Sequence, residues 1–140
     1  MGLRHKSREY ALQMLFQWDI THEDIDKLSA TFWENLETPE PAEVVRFANE
    51  LATGAIEHVE KLDEIIQRHA DNWRMDRMAV VDRNLLRLAT QEFFVEKENG
   101  EIPAAVIINE AIEIARRFSA EESPQFINGI LDSIRKEVER

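Results

Sequence analysis

The sequence predicts an all-α fold, a compact bundle of about seven helices. Three observations carry that prediction. Apolar residues recur at the 3.6-residue spacing of an amphipathic helix along almost the whole chain, whereas the alternation of a half-buried strand is nearly absent. Glycine and proline number four each and fall mostly where one periodic stretch gives way to the next. The chain has 140 residues, 44% of them apolar, enough to bury a core as a single domain, 1–140, without covalent staples.

The first helix follows a polar opening, Arg4–Glu9, and carries a stripe of Ala11, Met14, Leu15 and Trp18. Thr21 precedes the second, whose stripe is Ile25, Leu28, Phe32 and Leu36, with Asp24 at the capping-box position. Thr38-Pro39-Glu40-Pro41 reads as a linker, because proline lacks the N–H a helix interior needs. It hints at two sub-bundles. A long third pattern runs Val44, Ala48, Leu51, Ala55, Val59, Leu62, Ile66 and His69 and closes near Asn72. Its small residues Ala48, Gly54 and Ala55 suggest close helix–helix approach. Asp76 and Asp82 each begin a further helical stretch. The second of these buries Leu85, Leu86, Leu88, Ala89 and Phe93 and stops at Glu98-Asn99-Gly100, a C-cap signal. Pro103 opens the next helix, with a core face of Ile107, Ile108, Ala111, Ile112 and Ala115. Ser123-Pro124 reads as an N-cap followed by a first-turn proline, and the last helix buries Ile127, Ile130, Leu131, Ile134 and Val138.

Enzyme chemistry finds little foothold. The absence of cysteine excludes disulfides, zinc–thiolate sites and thiol nucleophiles, and is compatible with a cytoplasmic protein. The four histidines form no metal-binding pair, and His58 and His69 lie about three helical turns apart, too far to share an ion. Isolated glycines exclude a phosphate-binding loop or dinucleotide fingerprint. No apolar run approaches a membrane span, and the polar start is unlike a signal peptide. The expectation is a non-enzyme without cofactor, metal or membrane partner.

The formal net charge of −11 argues at first against nucleic acid. Its distribution changes that. Residues 1–8 carry Arg4, Lys6 and Arg8 with no acid, beside a titratable His5. Residues 19–64 hold 13 acids against Lys27, Arg46 and Lys61, so nearly all the excess lies there. Arg74, Arg77, Arg83 and Arg87 face only Asp76 and Asp82 in their stretch. With a Debye length of roughly 8 Å at physiological salt, distant acids do not cancel a local basic patch.

Several residues fit helix packing poorly. Phe126 lies off the centre of the last apolar face, just after Ser123-Pro124, where an aromatic can stack a base. Asn128-Gly129 falls inside that helix, where glycine costs about 1 kcal/mol relative to alanine, so close approach by another helix is expected. Asn109 interrupts an apolar run, Phe16 sits beside the first stripe, and Arg83 and Arg87 share a helical face.

Taken in order, these motifs resemble the NusB family of transcription antitermination proteins. Arg4-x-Lys6-x-Arg8-Glu9-x-Ala11-Leu12-Gln13-x-Leu15-Phe16-x-Trp18 is similar to the family's basic opening, and Asp82-Arg83 with Leu85-Leu86-Arg87-Leu88-Ala89 to its central helix. Ile108-Asn109-Glu110-Ala111 and Phe126-Ile127-Asn128-Gly129-Ile130-Leu131 resemble its two most specific motifs. The resemblance covers essentially the whole chain and is weakest across residues 19–64.

The resemblance implies an all-α, two-sub-bundle fold. It implies binding of the single-stranded boxA element of ribosomal RNA leader transcripts, jointly with the ribosomal protein NusE, within the RNA polymerase elongation complex and its other Nus factors. It assigns Arg4, His5, Lys6 and Arg8, together with Glu122 and Phe126, to RNA, and Phe16, Asp82 and Arg83 to the protein partner. Asn109 and Asn128-Gly129 are then scaffold. The expected consequences are that NusE tightens RNA binding and that Arg8→Glu or Phe126→Asp weakens it in a folded protein. Three phosphate contacts would give a salt slope of roughly −2. The alternatives are a protein–protein scaffold that does not bind RNA, a NusB-like module of a ribosomal RNA methyltransferase, and a homodimer in place of the NusE complex.

Overall fold

The structure, a computed structural model, describes residues 2–139. Among them are seven α-helices: α1 Leu3–Thr21, α2 Ile25–Glu34, α3 Ala42–Glu57, α4 Val59–His69, α5 Val80–Asn99, α6 Ala104–Phe118 and α7 Ser123–Val138. A 3-10 turn covers Met75–Arg77, and no strand occurs among the described residues.

The ends of the helices follow their local chemistry. α5 stops where Gly100 takes a left-handed conformation, φ 68°, and returns its N–H to the Glu96 carbonyl. α1 stops in the same way at His22, φ 54°, an uncommon conformation for a residue with a Cβ. Pro103 precedes α6 and Pro124 sits in the first turn of α7, where the missing N–H costs nothing.

Four local expectations need correction. The polar opening Arg4–Glu9 does not precede the first helix but lies inside α1, which begins at Leu3. The long third pattern is two helices, bent at His58 (φ −107°, ψ 16°). The His58 N–H still donates to Gly54 and its carbonyl still accepts from Leu62, so the apolar stripe passes through the bend and periodicity cannot reveal it. Ser123 is the first residue of α7 rather than its cap, and its hydroxyl donates to Asp82. Asp76 lies in the 3-10 turn, while α5 begins at Val80, two residues before Asp82.

Helices α1–α3 pack as one sub-bundle and α4–α7 as the other, joined through α5. That helix is buried on nearly every side from Asp82 to Phe93. It therefore carries both the apolar centre (Leu85, Leu86, Leu88, Ala89 and Phe93) and polar groups that must find partners inside the protein. α1 runs antiparallel to α5, with Arg8 against Glu92 and Asp19 against Arg83. Buried side chains from all seven helices form one continuous core.

The small residues of α3 do mark a close approach. A Cβ on Gly54 would stand 2.7 Å from Gln91 Nε2 on α5. Gly129 does not. It is exposed, and a Cβ there would meet nothing within 4 Å. The expected close packing at Asn128-Gly129 is therefore absent.

Candidate RNA and partner interface

The basic opening splits into an inner and an outer face. Arg8 is buried and makes a two-pronged pair with Glu92, Nε to Oε1 at 2.7 Å and Nη2 to Oε2 at 2.9 Å, with Glu110 at 3.7 Å. Burial opposes its charge, but the hydrogen bond and field of Glu92 outweigh that and hold the guanidinium above its ordinary pKa. His5 is buried between Glu9, at 3.2 Å, and Glu110. Both side chains face the seam of α1, α5 and α6. Arg8→Glu would set a third carboxylate beside Glu92 and Glu110, so it acts on the fold. It cannot serve as a clean probe of RNA binding.

Arg4 and Lys6 lie on the outer face. The Arg4 guanidinium stands 4.5 Å from the centre of the Phe47 ring and 3.9 Å from Glu101. Lys6 is 3.2 Å from Glu40 and remains largely exposed. Glu40 also accepts from the Tyr10 hydroxyl, which pushes the Tyr10 pKa up to about 12. So the acid-free opening meets its acids from distant parts of the chain.

The same holds for the basic stretch 74–87. Arg83 Nε donates to Asp19 at 2.8 Å, and Asn84 donates to the same oxygen at 3.0 Å. Arg87 grips Asp63 through Nε at 2.7 Å and Nη2 at 2.8 Å and reaches Asp19 at 3.2 Å. Arg74 pairs with Asp76. The local positive patch expected there is thus largely neutralised, by Asp19 and Asp63 of the acidic segment and by Asp76. Arg77 is exposed and makes no ion pair among the described residues.

Asp82 is buried at the start of α5. It accepts from Ser119 Oγ at 2.6 Å and Ser123 Oγ at 2.9 Å, fastening the α6–α7 connection to α5. This fixes where α7 begins, and therefore where Glu122 and Phe126 stand. Both line a groove of about 490 Å³ whose other wall is the segment Trp73–Ala79. Trp73 meets Phe126 edge-to-face, centroids 5.5 Å apart and planes at 75°.

Phe16 lies elsewhere. With the exposed Phe118 it lines an apolar groove of about 400 Å³ between α1 and the end of α6. The Arg117 guanidinium covers the Phe118 ring at 5.1 Å and pairs with Glu9 at 2.8 Å. The structure therefore groups Phe126 with Glu122 and, at the bottom of their groove, Asp82, and Phe16 with Phe118, while Arg83 lies behind these surfaces. Arg4 and Lys6 sit at the far end of α5. From Asp82 to Glu92 and on past Arg8 to Arg4 the helical rise amounts to roughly 20 Å.

The NusB family model matches residues 5–136 of the chain. The chain belongs to the NusB family. The transcription antitermination protein NusB of Koribacter versatilis is 49% identical over 99% of this chain and 92% of its own length. Among solved structures, NusB of T. maritima superposes with a TM-score of 0.84 at 38% identity, covering 96% of this chain and 91% of that one. A structure described as antitermination factors NusB and NusE in complex with double-stranded RNA superposes with a TM-score of 0.86 at 26% identity, covering 98% of both chains. The family is one of antitermination proteins, not of enzymes. Among the described residues no helix is long and apolar enough to cross a membrane, and no three His, Asp or Glu side chains are grouped to hold a metal ion.

The sequence does not single out Trp73, Arg117 or Phe118, and it marks Arg77 only as one member of the basic stretch 74–87. Trp73 left a usable signal: an aromatic between two polar residues, outside every apolar stripe. Arg117 and Phe118 look like ordinary surface residues until the fold sets them beside Phe16 and Glu9.

Proposed function

We propose that this protein is a cytoplasmic transcription antitermination factor that binds single-stranded boxA RNA together with NusE. The observation that supports this most is the match over essentially full length to a family member seen with both NusE and RNA. The surface chemistry fits. Arg4 and Lys6 offer exposed cations for phosphate, and Phe126 offers an aromatic face for a base. His5 and Arg8 serve RNA indirectly, by holding the N-terminal turns of α1 in place. Asp82 and Arg83 position the loops around both grooves. Phe16 and Phe118 present the apolar patch suited to a protein partner.

The test is binding of boxA RNA to the complex with NusE, comparing the wild type with Phe126→Ala and Lys6→Glu. Both variants should stay folded, since neither side chain is fully buried, and both should bind RNA more weakly. Unchanged affinity in both would leave the protein as a scaffold without RNA contacts of its own. The other Nus factors and RNA polymerase would then be reached through NusE alone.

A further inference from the structure

We propose that Trp73 completes, with Phe126, a two-aromatic seat for one unpaired RNA base, and that Arg77 receives the phosphate next to it. The inference rests on the RNA reading above and adds a second wall to it.

Trp73 is 56% exposed, on a segment outside every helix. A large apolar ring in that position normally seeks cover, and among the described residues its ring partner is Phe126, met edge-to-face. Both residues border a groove of about 490 Å³, within the size range of small-ligand sites, and an edge-to-face pair covers at most one face of one of its two rings. Bases stack on such faces whatever their identity.

Charge separates the base from the phosphate. Asp82 and Glu122 line the groove, so its floor repels an anion but tolerates a neutral ring. Asp82 is occupied by Ser119 and Ser123, which leaves Glu122 as the available acceptor. A carboxylate there favours a base edge that donates hydrogen bonds through an exocyclic amine, as adenine, cytosine and guanine do, over uracil. Arg77 stands at the rim with no acid to pair with among the described residues, while Arg74 is tied to Asp76. The phosphate therefore belongs at Arg77. An aromatic groove also accepts protein side chains. The acidic floor beside a lone rim cation matches a nucleotide better, with its neutral base and its charged phosphate.

The experiment measures affinity of the complex with NusE for boxA RNA, using Trp73→Ala, Trp73→Phe and Arg77→Gln, with thermal melting of each variant as control. Because the Trp73 ring is mostly exposed, all three should melt near the wild type. Trp73→Ala should weaken RNA binding roughly 5- to 150-fold, the usual range for one stacked base, and Trp73→Phe should recover most of it. Arg77→Gln should make the salt slope shallower by about 0.7. Uridine scanned along the RNA should weaken the wild type most at one position, the one at which Trp73→Ala is least affected. If the wild type binds and Trp73→Ala binds equally well, the seat is refuted and the RNA reading stands. If Trp73→Ala loses NusE instead of RNA, the groove holds the protein partner and the proposal is wrong. If the wild type fails to bind boxA RNA even with NusE, both readings fall.

Discussion

Replacing Arg8 by alanine should destabilise the protein by about 3–5 kcal/mol, because it strands the Glu92 carboxylate in the interior. The pair is bidentate, and both side chains are more than nine-tenths buried. Glu92 is encircled by α1, α5 and α6, and burial alone pushes its pKa up, so it depends on Arg8 for its charge. In urea, with a slope of about 2 kcal/mol per molar, the midpoint should fall by roughly 2 M. A domain of this size should melt roughly 10 °C lower. The double replacement Arg8→Met with Glu92→Leu removes both charges and should recover most of the loss, since apolar isosteres of a buried pair are neutral to stabilising. Urea unfolding of the wild type, Arg8→Met, Glu92→Leu and the double variant supplies the coupling energy. A cost below about 1 kcal/mol for Arg8→Ala would mean that the pair behaves like an exposed one, contradicting its assigned burial. A fully folded Arg8→Ala that lost RNA binding would return Arg8 to the RNA contact set.

Other substitutions act on separate parts of the molecule. Gly129→Ala should raise stability by about 0.5–1 kcal/mol in urea, since glycine is costly inside a helix and a Cβ there meets open space; destabilisation would refute the exposed placement. Asp19 has its pKa lowered: burial works against ionisation, but Arg83, Arg87 and Asn84 together outweigh it. A depressed carboxylate stabilises the fold above its unfolded pKa, near 4, and that contribution is lost as pH falls through the lower folded value. Asp19→Asn should therefore lower stability at neutral pH and flatten its fall below about pH 4; an unchanged acid limb would show that Asp19 is not held by these cations. Phe16→Asp should weaken NusE about 30-fold or more if this ring is a centre of the partner patch, read by calorimetric titration, while leaving the melting temperature close to that of the wild type.

Most of the helical architecture is legible in the sequence because it is local. Proline, glycine and 3.6-residue periodicity mark α5, α6 and α7 nearly to their ends, and the small residues of α3 foretell the contact of Gly54 with Gln91. The bend at His58 escapes because apolar spacing continues across it. The functional surface is harder to read, because charge is local in sequence but paired through space. Arg8 looks like part of a free basic tail until Glu92 arrives from 84 residues away. Arg83 and Arg87 look like a cationic face until Asp19 and Asp63 arrive from the acidic segment. That segment, which seemed only to argue against nucleic acid, supplies counter-charges that hold α1 and α4 to α5. Asp82 illustrates the converse: a residue singled out for a partner turns out to fasten the loop that presents Phe126.

The central claim is that specificity for RNA arises on a surface shared with NusE, because this chain alone presents few free cations. The most direct measurement is the affinity of boxA RNA for this protein, for NusE, and for the two together at one salt concentration. This protein alone should bind weakly, with a salt slope near −2, and gain clearly when NusE is added. Binding by this protein alone as tight as by the pair, or a slope much steeper than about −4, would contradict it.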